Sequence, residues 1–217
     1  MLEPFGTASL PERIWDEENI MPLGANKAAI MGVAGVSAGD VVLLSSQTAS
    51  NDASIEFTSG IDSTYGEYIF KFYNIDTATE ARNFSFQGSI DGGSNYNVEM
   101  TSTVFVAAHN EADATPALEY EAGNDQAQGT AYQLLMNQLY VESDLCGVGE
   151  LHLFNPSSTT YAKHFIVKTA YIYGATTVGN LHVAGYFNTT SAINAMSFKM
   201  LASGNIAAGK IKMWGVK

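Results

Sequence analysis

The stretch EYIFKFYNI, residues 67–75, decides the fold. In an extended chain Tyr68, Phe70 and Phe72 fall on one side and Glu67, Lys71 and Tyr73 on the other. This is the two-residue period of a strand with one face in a core and the other toward water or a partner. Phe84 and Phe86 repeat the pattern in RNFSFQGS (82–89). From about Asp40 onward, runs rich in Val, Ile, Phe, Tyr and Thr alternate with Gly, Asn, Asp and Ser, the punctuation expected between strands. The runs are 41–47, 54–58, 67–75, 82–89, 95–108, 150–154, 163–173, 181–188, 195–200 and 210–216. Almost no amphipathic helical period interrupts them, so the expected class is all-β. GTAYQLLMNQLY (129–140) has apolar residues at mixed spacing and fits either a short helix or a strand in a long connection.

Between two of these runs lies Asp91-Gly92-Gly93-Ser94. Alternating patterns on both sides make it the turn of a β-hairpin, with the glycines taking positive φ. The competing reading is a cation or sugar-hydroxyl site. One Asp with Ser and Asn neighbours falls short of the roughly 6–8 oxygens that calcium takes, which favours the turn.

Composition narrows the function. With 217 residues the chain can bury one sizeable core, and 46% apolar content suits a globular protein. Asp and Glu outnumber Lys and Arg by 22 to 10, a net charge of −12. That sign argues against a nucleic-acid groove, which needs clustered Lys and Arg, and against binding at a membrane surface. Membrane insertion is not expected either: the longest small-apolar run, AAIMGVAGV (28–36), is well short of the ~20 residues a membrane helix needs. The opening MLEPFGTASLPERIWDEEN lacks the basic start and apolar run of a signal peptide, so secretion by that route is not expected. Cys146 is the only cysteine, which excludes an internal disulfide and suits a reducing cytoplasm.

Catalytic patterns are missing. His109, His152, His164 and His182 form no His-x-x-x-His pair, no Gly-x-Ser-x-Gly elbow occurs, and GVAGVSAG lacks the Gly-Lys-Ser/Thr ending of a phosphate loop. His152 and His182 read as packing residues within strands, and Cys146 as a structural thiol. Paired acids for glycoside hydrolysis can come from distant strands, and Asp62, Glu67, Asp91, Glu99 and Glu150 are available. Solvated strand faces and turn caps account for them more simply. No catalytic residue, metal or cofactor is assigned. The 11 tyrosines and the asparagines at strand ends suit sugar stacking, and equally a polar sheet surface or a subunit interface.

Residues 1–40 break the strand rhythm. They hold Pro4, Pro11 and Pro22, an Ile14-Trp15 patch followed by Asp16-Glu17-Glu18, and the small-residue run. Such a segment cannot build a core alone. It is expected to be an extended N-terminal arm that docks or exchanges between subunits, with a helical turn at 11–15 started by proline. Its candidate interface anchors are Phe5, Ile14, Trp15, Ile20 and Met21, since buried aromatics dominate interface energetics. Residues 41–217 would form the β-domain.

The stretches ASIEFTSGIDSTYGEYIFKF (53–72), FSFQGSIDGGSNYNV (84–98), GELHLFNPSSTTYAKHF (149–165), VAGYFNTTSAINAMSFKM (183–200) and SGNIAAGKIKMWGVK (203–217) resemble a family of virion structural proteins of tailed phages of marine bacteria. The ending is similar to the last strands of phage head-fibre, decoration and tail-tip domains, with Trp214 where that family has tyrosine. The resemblance implies an antiparallel β-sandwich of jelly-roll type, often trimeric. It implies a decoration, tail or fibre role on a virion made in the host cytoplasm, with capsid, portal or tail proteins as partners. A host-surface glycan-binding adhesin is the alternative role.

Overall fold

The computed structural model describes residues Asp40–Lys217 apart from Thr115, Ser143 and Ala175. The proposed anchors Phe5, Ile14, Trp15, Ile20 and Met21, and the helical turn at 11–15, lie outside the described residues. Every regular element described is a strand: β1 (Val41–Thr48), β2 (Ile55–Phe57), β3 (Glu67–Thr77), β4 (Arg82–Ser89), β5 (Met100–Asn110), β6 (Ala117–Tyr120), β7 (Gln133–Leu139), β8 (Gly147–Phe154), β9 (Lys163–Tyr173), β10 (Thr177–Phe187), β11 (Ala195–Met200) and β12 (Ile206–Val216). The expected ten are present with shifted ends, the segment 129–140 resolves as strand β7, and β6 is additional.

All pairings are antiparallel. They build two arms of one sheet. One arm runs β1-β12-β3-β8-β9-β10-β5-β6 and the other β7-β4-β11-β2. The arms join where Leu139 of β7 pairs with Tyr173 of β9. The short arm folds over the long one, so the sheet is nearly closed into a barrel-like shape around one apolar core.

Alternation fixes which face is buried. Tyr68, Phe70 and Phe72 of β3 point inward with Leu151 and Leu153 of β8, Phe165 and Val167 of β9, and Ile211 and Met213 of β12. Phe198 of β11 is the meeting point of the arms. Its ring lies 6.1 Å from Phe57, 5.3 Å from Phe70, 5.4 Å from Phe72 and 6.2 Å from Phe84, centroid to centroid. Farther along the core, Phe86 of β4 packs edge-on against Phe165 and Phe187 of the long arm.

The outer faces of the two arms differ. Ser85, Gln87 and Ser89 of β4 point away from the core yet are buried, because the chain's own connections lie over them. The Gln87 amide donates to the carbonyls of Val98, Thr130 and Ala131 at 3.0–3.1 Å, holding both connections down. Among the described residues the long arm has no such cover. Of the twelve exposed large apolar residues among those described, nine (Val41, Leu43, Tyr73, Phe105, Leu118, Tyr120, Val148, Ile166 and Val178) lie on its outer face, and only Ile90, Val141 and Tyr161 are in loops.

One expectation is corrected. Asp91–Ser94 does not close a hairpin: β4 pairs with β11 and β7, while β5 pairs with β10 and β6. The chain turns at Gly92 and Gly93, with φ of 73° and 92°. It then crosses the outer face of the short arm before entering β5 at Met100. Strand partners at long sequence separation outcompete the local pair because only they bring Phe84 and Phe86 into the common core.

Since Phe198 touches rings from three other strands, Phe198→Ala should destabilise the protein by about 3–5 kcal/mol, and Phe198→Leu by clearly less. Urea unfolding of the two variants checks this; a loss below about 1 kcal/mol for alanine would mean that the rings do not hold the arms together.

Candidate functional site

The turn at residues 89–95 satisfies itself. The Asp91 carboxylate accepts from Ser89 Oγ at 2.6 Å, from the Asn95 amide nitrogen at 2.9 Å and from Asn95 Nδ2 at 2.7 Å. Ser89 Oγ in turn accepts from the backbone of Asp91 and Gly93, and Asn194 Oδ1 accepts from Gly92. Gly93 is required twice, for its positive φ and because a Cβ there would stand 2.8 Å from both Thr58 Cγ2 and Tyr96 Oη. The hydrogen bonds from Ser89 and Asn95 hold the Asp91 carboxyl down, from the ordinary 3.8 to about 2. The acceptor positions a ligand would use are occupied by the turn's own donors, so the geometry is that of a structural corner.

Of the five acids considered for hydrolysis, the fold brings two together. Glu67 and Glu150 flank His152 on the outer face of the long arm: Nδ1 meets Glu67 Oε1, and Nε2 lies 3.3 Å from Glu150 Oε1. Lys71 Nζ closes the row at 3.4 Å from the other oxygen of Glu150. Burial works against the Glu150 charge, but His152 and Lys71 outweigh it and leave that carboxyl below its usual range. Carboxylates only accept, so each ring nitrogen that carries a proton can donate to the carboxylate it faces. The arrangement is a cross-strand ion row. Asp62 is bound to Thr64 and Tyr68, and Glu99 accepts from Asn188. Among the described residues no group of three His, Cys, Asp or Glu side chains is placed to hold a metal.

Of the other histidines, His109 is exposed and meets Asp113 Oδ1 at 3.0 Å, His164 is exposed, and His182 takes a packing position. His182 stacks on Phe105 at 4.9 Å with its ring nearly parallel, and its Nε2 donates to Asn180 Oδ1, 2.7 Å away. Cys146 is half-buried, and burial pushes its thiol up, away from a reactive thiolate.

Alternation did not reveal three buried polar groups. Lys163 is fully buried at the start of β9 and donates to the carbonyls of Tyr161 and Thr189 at 3.0 and 3.2 Å; burial pushes its amine down. Gln133 accepts from Ser102 Oγ at 2.6 Å and donates to the Asn124 carbonyl at 3.0 Å. With Gln87, these residues tie connections to the core. Their only trace in the sequence is a polar residue inside an apolar run.

An open groove of about 800 Å³ lies beside the edge strand β2, lined among others by Asn51, Ser54, Glu56, Tyr132, Lys199 and Asn205. Lys199 Nζ stands 4.0 Å over the Tyr132 ring, and the Tyr132 hydroxyl donates to Ser197. Burial raises the phenol of Tyr132, and the charge of Glu56 adds to the rise. Neither Glu56 nor Lys199 is in an ion pair among the described residues. The groove therefore offers an acceptor, a cation and amides to a polar ligand.

No family model, curated protein or solved structure matches the chain.

The depressed Asp91 value carries a sign. The folded carboxyl holds its proton less readily than the unfolded one, so its contribution to stability is complete above about pH 4 and lost as pH falls through about 2. Urea midpoints measured across that range should fall less steeply for Asp91→Asn than for the natural protein. Parallel curves would mean that the carboxylate does not hold the turn.

Proposed function

We propose that the chain is a non-enzymatic structural subunit of a phage virion, a capsid decoration or a tail or fibre component. In this reading residues 1–40 attach it to other virion proteins and the β-domain oligomerises, as a trimer. The observation that carries the reading is the open outer face of the long arm, where nine large apolar side chains remain uncovered. Contiguous exposed apolar patches mark interaction surfaces, and Phe105 opposite Tyr120, with Leu118 beside them, gather three of the nine in one place. The chemistry available on that face is a row of charged groups on a sheet surface, which suits assembly better than turnover.

We read the fold as a jelly roll. Taken alone, β1-β12-β3-β8 and β2-β11-β4-β7 have the strand order of the two four-stranded sheets of that fold. The pairs β5-β6 and β9-β10 are then insertions that widen the first sheet. A jelly roll is an architecture of virus shells and of lectins, so the fold alone separates neither role from the other. The resemblance of residues 53–72, 84–98 and 203–217 to phage virion proteins favours the first.

Deletion of residues 1–35 tests the attachment. The truncated protein should be absent from, or strongly depleted in, particles assembled in its presence, as measured by its occupancy on purified virions. Full occupancy would overturn the role given to the arm.

The groove at Glu56, Tyr132 and Lys199 favours a second reading, recognition of host-surface polysaccharide, since amides, opposite charges and an aromatic ring are what sugar hydroxyls and ring faces meet. Purified protein should then bind host polysaccharide, and Lys199→Ala with Glu56→Gln should weaken binding by about tenfold or more. Absence of binding at high micromolar protein, or unchanged binding in that variant, counts against it.

A further inference from the structure

We propose that copies of this chain associate head to tail through the two ends of the long arm, the acidic β5–β6 end of one copy packing on the basic β1–β12–β3 end of the next. The inference rests on the homo-oligomer part of the proposed function and on no other part of it.

Both ends are unfinished in the single chain. Among the described residues β1 pairs only with β12, and β6 only with β5, so each presents one backbone edge unpaired by them. Natural sheets cover or blunt such edges. Each end also exposes large apolar groups: Val41 and Leu43 on one, and Leu118 and Tyr120, 75% and 56% exposed, on the other.

Charge distinguishes the ends. At the first, Lys71 and Lys212 stand directly opposite each other across β3 and β12, and Lys210 follows one pleat along, opposite Tyr73. Like charges in that position destabilise a sheet unless an anion offsets them. Glu150 serves Lys71, and the acids of these strands are engaged within the chain, Glu67 by His152 and Asp76 by the Thr77 amide. Lys210 and Lys212, the latter 5.3 Å from the Tyr73 ring centre, are in no ion pair among the described residues. At the second end, residues 111–125 carry Glu111, Asp113, Glu119, Glu121 and Asp125, with no Lys or Arg. Among the described residues only Asp113 meets a basic side chain there, His109 at 3.0 Å.

Each end thus supplies the charge the other needs, next to apolar groups that need cover. Contact between two like ends would oppose acids to acids or lysines to lysines, which disfavours a two-fold arrangement through either end. Contact between unlike ends satisfies both, and a contact of this heterologous kind closes into a ring when its rotation permits.

The test is a charge exchange on the full chain at low ionic strength, where such contacts are least screened. Mass is read by sedimentation equilibrium, with circular dichroism and melting to verify folding. Lys210→Glu with Lys212→Glu, and separately Glu111→Lys with Glu119→Lys, should each raise the dissociation constant by about tenfold or more. Mixing the two variants should restore hetero-association, because each then offers one end complementary to the other's altered end. A natural protein that stays monomeric overturns this proposal and the oligomer reading together. An oligomer that neither variant weakens overturns the head-to-tail contact and leaves the oligomer reading standing. Weakening by both without recovery in the mixture overturns the pairing of these two ends.

Discussion

The two arms of the sheet share almost no backbone ladder: Leu139 against Tyr173 is the one cross-strand pair between them. What keeps them face to face is the burial of aromatic rings, with Phe198 from the short arm against Phe70 and Phe72 from the long one. Hydrogen bonds fix strand order within each arm, and the hydrophobic effect fixes the arms on each other. The pairs that define the order, Val41 with Val216 and Ile55 with Phe198, join distant parts of the sequence. Such non-local ladders form slowly, because loop-closure entropy is lost before the contacts are gained.

This division of labour explains the unequal outer faces. The short arm is four strands wide, and the connections after β4 and before β7 pass over it, with the Gln87 amide as their common anchor. A buried amide must be satisfied, and three carbonyls from two connections satisfy it, so side-chain chemistry in the short arm serves the fold. The long arm is eight strands wide and keeps its ion row and its apolar residues at the surface. Among the described residues the surfaces open to other molecules are therefore the sheet face of the long arm and the groove at β2, while the glycine turn at Asp91 belongs to the internal framework.

Much of the fold was legible because most strands have one wet face. In β3 and β9 the alternation of buried and exposed residues is nearly unbroken, and the sequence reads directly. β7 shows Gln133, Leu134, Leu135 and Met136 all buried; covered on both sides, it loses the period that identifies a strand. β6 fails in the opposite way, with three of its four residues exposed, so no apolar alternation distinguishes it from a loop. The hairpin expected at Asp91 followed from local rules that hold for neighbouring strands. Here the partner of Phe86 is Phe198, more than a hundred residues away, and no local pattern encodes that. The groove was invisible for the same reason, since Glu56, Tyr132 and Lys199 come from three distant segments.

The chain enters and leaves the β-domain side by side: β1 and β12 are neighbours, and the Lys217 amide donates to the Asp40 carbonyl at 3.0 Å. The mechanical response of the domain is therefore direction-dependent. Tension between Asp40 and Lys217 unzips the β1–β12 ladder, breaking its bonds a pair at a time, because antiparallel bonds lie perpendicular to the strands. Tension between Asp40 and the 78–81 connection, at the far end of β3, loads the same bonds in shear and all at once. The domain would thus resist pulls along the strands far better than pulls that peel β1 from the sheet edge.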